Sequence, residues 1–539
     1  MGDDVKGESR RNPLYSSGSF SARRTGLASS PSVKSPLHTS GSVPATSSKS
    51  PLHTSGSVAA SRISKSPLHT SGSVPARGGL SSSSGTASVL RRSLLQSSGS
   101  VATQPSIDIS PADKEYYWFG PENVPESVAE VAVRPSLLEE LALKILYLSG
   151  PFSLRELAAQ IRLPFPVVNE LLRRMRAEKL CELTGMTGNV PQIAITTQGR
   201  ARAAELMVLN QYSGPAPVSL DHYKQQVRNQ SVRQLDVDEP SVERAFGHLV
   251  LEPEMLEKLG TALNSGTSIF LYGPSGTGKT TLAAALAQVL AVDRVWIPYA
   301  VEVEGQIICV FDPDVHKKIN DPVAQTSDQR WVFCHRPTVL VGGELTLEML
   351  ELQYNPATKI YEAPVQMKAN NGVLIIDDFG RQRMRPEELL NRWVVPLDRG
   401  IDFLTMAGGR KIEIPFEPCV VFATNLEPSA LGDEAFLRRI QTKIKVGAVS
   451  EEQFHAIFHA VCGTCGLEAN GELISELVQI IRHELKEPLR ACHPRDLVNR
   501  ICWKARYKRT EPCLDRDTLL AAVDSYFLRK EEKHDPEER

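Results

Sequence analysis

The sequence predicts an α/β protein in which a parallel sheet is followed by a helical region and preceded by a small module and a low-complexity tail. Residues 268–290 have the pattern of a strand, a glycine-rich loop and a helix in direct succession. Two apolar runs, 373–376 and 419–424, lead into polar residues, as buried parallel strands do at the ligand-binding edge of a sheet. Residues 1–110 are rich in Ser, Gly and Pro, so no core can offset the entropy that ordering them would cost.

Composition limits the class of protein. The chain has 539 residues, 41% hydrophobic residues and a formal net charge of -2, which suits two or three domains without a general affinity for polyanions. Its nine cysteines are scattered, unlike the framework of a secreted disulfide protein. No apolar run approaches the roughly 20 residues that span a bilayer, and the N-terminus lacks an apolar signal core. A cytoplasmic protein without a membrane segment is predicted.

The predicted disordered tail, residues 1–110, carries a short repeat. The string Lys-Ser-Pro-Leu-His-Thr-Ser-Gly-Ser-Val starts at Lys34, Lys49 and Lys65. Units this short and polar cannot stack into a solenoid, which needs roughly 20 residues or more per repeat. A docking motif, a phosphorylation target and a solubilising extension all remain open interpretations.

Residues 134–210 resemble a winged-helix domain. A helical pattern starts at Pro135, a second helix follows a capping box of Ser153 and Glu156, and a third precedes two strands joined by a glycine-bearing turn. A last helix starts near Gln198. The order of three helices and a hairpin is that of a winged helix, and a linker is predicted for residues 211–245.

Four cations on or just beyond the third helix lie where a DNA-reading winged helix makes its contacts. They are Arg173, Arg174, Arg176 and Lys179. The module carries ten basic and seven acidic residues from Arg134 to Leu206, which is far from the basic footprint of a DNA-binding domain. Protein docking or a structural role is favoured, and nucleic-acid binding stays open.

The glycine-rich loop is a complete match to G-x-x-x-x-G-K-[ST]. Between a strand and a helix, such a loop directs backbone N–H groups and a helix N-terminus at one anion. Lys279 is expected to reach the β- and γ-phosphates of ATP, and the Thr280 hydroxyl to ligate Mg²⁺. The predicted nucleotide-binding residues are Gly273, Pro274, Ser275, Gly276, Thr277, Gly278, Lys279, Thr280 and Thr281.

Two acids follow the apolar run 373–376. Asp377 is predicted to hold Mg²⁺ and Asp378 to polarise the attacking water. The alternative is that both acids only cap the following helix.

These motifs together resemble one AAA+ ATPase module from about Phe246 to Arg506. The resemblance implies an α/β nucleotide-binding domain at 246–448 and a helical lid at 449–530. It implies that Asn425 orients the lytic water, that Arg438 or Arg439, in the segment Phe436–Ile440, reaches the nucleotide of a neighbouring subunit, and that Arg495 acts as sensor 2. AAA+ proteins usually have Glu where this chain has Asp378, a difference that concerns the rate of hydrolysis more than nucleotide binding. The resemblance also implies a homo-oligomeric ring, commonly a hexamer.

From the winged-helix-like module onward, the chain is similar to bacterial AAA+ proteins described as ATPases with chaperone activity. The leading hypothesis is therefore an ATP-hydrolysing remodelling ATPase that acts on protein partners. The alternatives are an ATP-regulated DNA-binding regulator and a nucleotide-gated scaffold with little hydrolysis. The sequence does not identify the client.

Two weaker patterns complete the set. Tyr354 and Tyr361 could line a pore that grips polypeptide, or could pack on their own hairpin. Cys462 and Cys465, with His459 nearby, suggest zinc, but the spacing to other ligands is irregular and a core role is favoured.

Overall fold

A computed structural model describes residues 121, 124–321, 324, 326–431 and 438–527 of the chain. The predicted tail with its three repeats lies outside the described residues, as do Phe436 and Leu437 and the last residues of the predicted lid.

The first described region is a small module of helices and an antiparallel sheet. Its elements are α1 Pro135–Ser149, β1 Phe152–Ser153, α2 Leu154–Ile161, α3 Phe165–Ala177, β2 Cys181–Thr187, β3 Val190–Ile195 and α4 Thr197–Leu209. The expected capping box starts α2: the Ser153 hydroxyl accepts from the Glu156 amide at 3.2 Å, and the Glu156 carboxylate accepts from the Ser153 amide at 2.8 Å. The strands lie in the order β1-β3-β2, and helices and sheet share one apolar core.

Residues 211–245, predicted as a linker, form packed structure. They contain β4 Val218–Ser219, α5 Leu220–Asn229 and most of α6 Glu239–Phe246. Tyr223 of α5 is buried, and its hydroxyl accepts a hydrogen bond from Asn370 Nδ2 at 2.9 Å. The Gln230 amide donates to the Trp296 carbonyl at 2.8 Å. This segment is not an extended linker, because its apolar side chains are buried against the following region and its amide side chains form hydrogen bonds with it.

The following region alternates strands and helices. Its elements are α7 Pro253–Asn264, β5 Ile269–Tyr272, α8 Lys279–Ala291, β6 Arg294–Pro298, β7 Ala300–Val303, β8 Gln306–Cys309, β9 Trp331–His335, β10 Thr338–Val341, β11 Gln353–Asn355, β12 Ile360–Glu362, α9 Val365–Lys368, β13 Val373–Ile376, α10 Pro386–Arg392, α11 Val394–Arg399, β14 Ile401–Thr405, β15 Lys411–Pro415, β16 Cys419–Thr424 and β17 Thr442–Lys445.

The predicted parallel sheet is confirmed. Five strands lie in the order β10-β13-β16-β5-β17, and every neighbouring pair is parallel. All residues of β13 and β16 are buried, because helices and loops cover both faces of the sheet. The carboxyl ends of β5, β13 and β16 therefore meet at one edge, which brings together the three motifs found in the sequence.

A second sheet attaches the first module to this region. Its strands lie in the order β11-β12-β8-β7-β4, and the core of the first module includes Ala300 of β7 and Ile307 of β8. Arg330 lies buried at the junction, where Asp328 of the same loop compensates its charge: Arg330 Nη2 lies 2.7 Å from Asp328 Oδ2. Arg330 Nη1 also donates to the Val131 carbonyl at 2.9 Å. The strand-rich stretch between the glycine-rich loop and Asp377 thus holds the first module against the central region.

The C-terminal region is helical and has its own apolar core. Its elements are α12 Glu451–Cys465, α13 Gly471–Gln479, a π-helical turn Ile480–Glu484, α14 Cys492–Lys508 and α15 Arg516–Tyr526. Ser450 and Gln453 form a capping box at the start of α12. Within the described residues, no helix combines the length and the apolar composition that crossing a membrane requires.

Candidate nucleotide-binding site

The glycine-rich loop connects β5, an inner strand of the parallel sheet, to α8. Residues 273–278 form the turn, and Lys279, Thr280 and Thr281 start the helix. Gly278 at the N-cap has no side chain to occupy the first N–H groups of α8, so these donors remain directed at a ligand. Gly273 has φ 144°, and a Cβ there would lie 2.2 Å from the Val446 carbonyl oxygen. Only glycine fits this close approach of the loop to the strand β17 side of the sheet.

Lys279 is held at the centre of the site. Its side chain is buried, with 8% exposure, and Nζ donates to the carbonyls of Gly273 at 2.9 Å and Pro274 at 2.7 Å. The third acceptor is Asn425 Oδ1 at 2.7 Å. Burial lowers the pKa of the Lys279 ammonium, while the charges of Asp378 and Asp377 act to raise it. Because these acceptors are neutral, we expect the buried ammonium of Lys279 to exchange them for the charged oxygens of a phosphate.

Thr280, in the first turn of α8, is hydrogen-bonded to Asp377, which directly follows β13. The Thr280 hydroxyl lies 3.0 Å from Asp377 Oδ1 and 2.9 Å from Oδ2. A hydroxyl beside a carboxylate is the hard oxygen donor set that Mg²⁺ prefers. The residues present therefore fit the predicted metal.

Asp378 follows in a constrained turn. Its φ of 48° lies in the left-handed region, which Asp tolerates better than most residues. Its amide donates to Asp377 Oδ1 at 3.0 Å, and Gln382 Nε2 donates to the carbonyls of Asp377 at 3.0 Å and Asp378 at 3.3 Å. The carboxylate of Asp378 is left exposed beside the site. Gln382 holds this turn in place, and sequence reasoning missed it because no motif marks its position.

The two arginines after Asn425 differ in their surroundings. Arg439 Nε donates to Asp398 Oδ2 at 2.7 Å, and the Arg439 carbonyl accepts from the Ser268 hydroxyl at 3.5 Å. Arg438 is exposed and has no ion pair within the described part of the chain. Arg439 is thus engaged inside its own subunit, whereas Arg438 is available to an outside partner.

Within the described residues, Arg495 forms no hydrogen bond or ion pair with the glycine-rich loop. Its side chain is 65% exposed and pairs with Asp496 Oδ1 at 3.1 Å. The C-terminal region reaches the loop through other residues: the Cys492 amide donates to the Gly276 carbonyl at 3.1 Å. A Cβ built on Gly276 would lie 2.6 Å from Cys492 Sγ and 3.5 Å from Arg490 Cδ.

Arg490 is therefore the arginine that packs against the loop. Its Nη2 donates to Glu487 Oε2 at 2.9 Å, but its Nε is buried without a hydrogen-bond partner within the described residues. A buried guanidinium nitrogen without a partner is costly unless a ligand supplies an acceptor. The sequence offered no signal for Arg490, because nothing in its spacing separates it from other surface arginines.

The weaker sequence patterns have different outcomes. Tyr361 is buried, and its hydroxyl accepts from the Ala407 amide at 3.0 Å. Tyr354 lies opposite it on the neighbouring strand, with ring centroids 5.0 Å apart, so the two rings pack on their own hairpin. Cys462 is buried in the C-terminal core. Among the described residues, no group of three or more His, Cys, Asp or Glu side chains is placed to hold a metal ion.

Comparisons with known proteins agree with this site. The family model described as ATPase family associated with various cellular activities (AAA) matches residues 269–448, and a domain of unknown function (DUF8689) matches residues 450–525. No curated protein matches the chain.

Solved structures give matches with low TM-scores. A RuvB mutant from Thermotoga maritima has a TM-score of 0.29 and 14% identity, covering 55% of this chain and 72% of that chain. Domain III of the Thermotoga maritima replication initiation protein DnaA has a TM-score of 0.30 and 14% identity, covering 53% and 97%. The Thermotoga maritima RuvB Holliday junction branch migration motor has a TM-score of 0.30 and 13% identity, covering 51% and 69%. The region that contains the glycine-rich loop and the parallel sheet, residues 269–448, is the part of this chain that matches the AAA ATPase family.

Proposed function

We propose that the chain is a Mg²⁺-dependent ATPase that hydrolyses ATP to ADP and phosphate. One observation carries the proposal: at the carboxyl ends of three adjacent parallel strands, Lys279 is hydrogen-bonded to Asn425 and Thr280 to Asp377, and Asp378 follows Asp377 directly. This edge of an open α/β sheet is where ligands bind.

Lys279 and the loop amides bind the triphosphate. The ammonium of Lys279 leaves its carbonyl acceptors for the β- and γ-phosphate oxygens, and the N-terminus of α8 supplies further donors. Because the side chain is already buried and oriented, little ordering is required when ATP enters.

Thr280 and Asp377 would hold Mg²⁺, which their hydroxyl and carboxylate oxygens fit. Bound there, Mg²⁺ would neutralise part of the phosphate charge. The Asp377 carboxylate also accepts a hydrogen bond from the Asp378 backbone amide, which helps to orient it.

Asp378 is proposed to orient and deprotonate the attacking water, with Asn425 as the second polar contact. Its side chain is one methylene shorter than the Glu usual in the superfamily. Either the left-handed turn at Asp378 moves the carboxylate far enough to compensate, or hydrolysis is slow and the chain acts as a nucleotide-gated scaffold.

Measurement of phosphate release separates these two possibilities. Asp378→Asn is expected to lower turnover about 100-fold or more while ATP affinity is retained, because the variant removes only the base. Asp378→Glu is expected to keep or raise turnover. Asp221→Asn, an exposed acid at the start of α5, is the control. Equal turnover in the wild-type protein and Asp378→Asn would sink the assignment.

We further propose a homo-oligomeric ring, of which the hexamer is the common form in AAA+ proteins, in which Arg438 completes the site of the next subunit. The support is that Arg438 is exposed and unpaired among the described residues, whereas Arg439 is bonded to Asp398. Arg490 and Arg495 of the proposed lid, residues 449–530, would respond to the bound nucleotide. Arg490 has the stronger support, because its side chain lies against the phosphate-binding loop.

Residues 134–210 are proposed as a winged-helix-like adaptor through which the ATPase recognises protein clients. The apolar core that this module shares with Ala300 and Ile307 supports the transmission of motion between the module and the central region. A client should be retained by Asp378→Asn in the presence of ATP and released by Lys279→Ala. ATP-independent retention by both variants would contradict remodelling.

A second candidate function is ATP-regulated DNA binding through α3. Arg173, Arg176 and Lys179 are exposed, whereas Arg174 Nε is bonded to Glu139 Oε1 at 2.5 Å. Filter binding of duplex DNA over a range of salt concentrations tests it, since phosphate contacts make affinity fall with salt.

A further inference from the structure

The C-terminal half of α14 carries two aromatic side chains that are not buried in the core of the C-terminal region. Trp503 is 62% exposed and Tyr507 is 89% exposed. The opposite face of the helix, with Leu497, Val498 and Ile501, is buried in the C-terminal core. Large aromatic rings are normally buried for much of their area, so two of them in solvent on one helix indicate a binding surface.

Cations flank these rings on both sides. Residues four apart lie on the same helical face about 6 Å along the axis, so Trp503 and Tyr507 form one stripe. Lys504 and Lys508 follow the rings by one residue and lie about 100° to one side, and Arg506 precedes Tyr507 and lies about 100° to the other. Arg509 ends the helix. We call these six residues the basic–aromatic face: Trp503, Lys504, Arg506, Tyr507, Lys508 and Arg509.

The cations of this face are not paired with acids of the part of the chain that the structure describes. Within the described residues, Lys504, Arg506, Lys508 and Arg509 form no ion pair, and all four are exposed. Arg500, closer to the core, instead donates to the Ser525 hydroxyl at 3.4 Å and lies over the Tyr526 ring. The net charge of -2 for the whole chain therefore conceals a strongly positive surface.

We propose that the basic–aromatic face binds single-stranded nucleic acid. Unpaired bases stack on the two rings, and the phosphates on either side meet the flanking cations. A duplex is a poorer fit because its bases are already stacked on one another. An acidic polypeptide would satisfy the cations but would leave the flat faces of Trp503 and Tyr507 without equivalent partners.

This site differs from the α3 surface. The cations of α3 include one that is bonded to Glu139, and the described contacts place no exposed aromatic stripe among Arg173, Arg176 and Lys179. The two surfaces therefore predict different ligands. Binding at α14 needs neither ATP nor hydrolysis, so it does not depend on the proposed ATPase function.

The test is fluorescence anisotropy of a labelled oligo(dT) of about 20 nucleotides, a length that exceeds one binding site, with the full-length protein over a range of salt. The double variant Trp503→Ala with Tyr507→Ala is expected to weaken binding about tenfold or more, because it removes both stacking rings. The double variant Trp503→Phe with Tyr507→Phe should bind nearly as well as the wild-type protein, because each position keeps an aromatic ring. Lys504→Ala with Lys508→Ala should reduce the slope of log K against log salt by about 1.4, because each phosphate contact on a single strand contributes about 0.7.

Three controls make the result decisive. Arg173→Ala with Arg176→Ala should leave oligo(dT) binding unchanged, as should Lys258→Ala, which removes an exposed cation on α7. Binding should quench the fluorescence of Trp503, and this quenching should be absent in Trp503→Phe. The proposal is overturned by tight binding in the double aromatic variant, by loss of binding in the α3 variant, or by equal competition from a poly-Glu peptide. A change of oligomeric state in the aromatic variant, without a change in oligo(dT) affinity, would assign the face to contacts between copies instead.

Discussion

Two regions of this molecule present cations in opposite ways. At the nucleotide site, Lys279 is buried and has three oxygen acceptors at 2.7 to 2.9 Å. On the basic–aromatic face, Lys504, Arg506, Lys508 and Arg509 are exposed and have no ion pair within the described residues. A buried charge must be compensated, and its fixed geometry selects one ligand shape. An exposed charge costs little to maintain and attracts many polyanions in a salt-dependent way. The difference separates positions where one substitution removes a function from positions where several are needed.

The largest effect is expected at Lys279. Lys279→Ala should abolish ATP turnover, since a fixed donor to developing phosphate charge is lost. Lys258→Ala is the matched control, because Lys258 is exposed and bonded only to Glu254. ATP binding by calorimetry and phosphate release measure the result. Equal activities of the two variants would break the distinction between buried and exposed cations.

The next largest effect separates Arg438 from Arg439. Arg438→Ala should lower turnover about 1,000-fold in the assembled protein, the magnitude of an arginine supplied by a neighbour. Arg439→Ala should instead lower stability by less than about 1 kcal/mol, because its bond to Asp398 is partly exposed.

Mixing experiments test where Arg438 acts. Arg438→Ala subunits mixed with Lys279→Ala subunits should regain some activity, since each supplies what the other lacks. A larger loss of turnover in Arg439→Ala than in Arg438→Ala would reverse the assignment.

A smaller effect is expected where the C-terminal region meets the loop. Arg490→Ala should weaken nucleotide affinity about tenfold, since a partly buried charge would lose an ionic hydrogen bond worth about 1.5 kcal/mol. Arg495→Ala should change it less, because that side chain is exposed and bonded to Asp496. ADP and ATP titrations of both variants decide the comparison. A larger effect of Arg495→Ala would restore the assignment made from the sequence.

The last prediction concerns stability and His493, which is buried beside Arg490. Burial, with the nearby charge of Arg490, lowers the pKa of His493 from 6.5 to about 4. The unfolded chain therefore binds the proton more readily, so the contribution of His493 to stability is complete above pH 6.5 and is lost as the pH falls toward 4. The loss should approach about 3.4 kcal/mol below pH 4, at about 1.36 kcal/mol for each unit of pKa difference.

Thermal unfolding between pH 7 and pH 4.5 measures this loss. The decrease in Tm should be smaller in His493→Gln than in the wild-type protein, since the variant removes only this titration. Parallel curves for the two proteins would show that His493 does not contribute.

Local motifs were predictable because contiguous backbone defines them. The capping box of Ser153 and Glu156, the strand–loop–helix around Lys279 and the buried strand before Asp377 each depend on a few consecutive residues. The parallel sheet followed from the same information, since runs of apolar residues require cover on both faces. The family match over residues 269–448 confirms that part of the prediction.

The sequence alone thus determined the phosphate-binding loop and the α/β class, because side-chain type and spacing act over one turn or one strand. Only the tertiary structure decided which arginine contacts the loop, which of Arg438 and Arg439 is engaged, and that residues 211–245 are packed. These outcomes depend on side chains from distant segments that compete for the same partners. Such competition is settled by burial and charge pairing in the folded chain, and no local pattern records it.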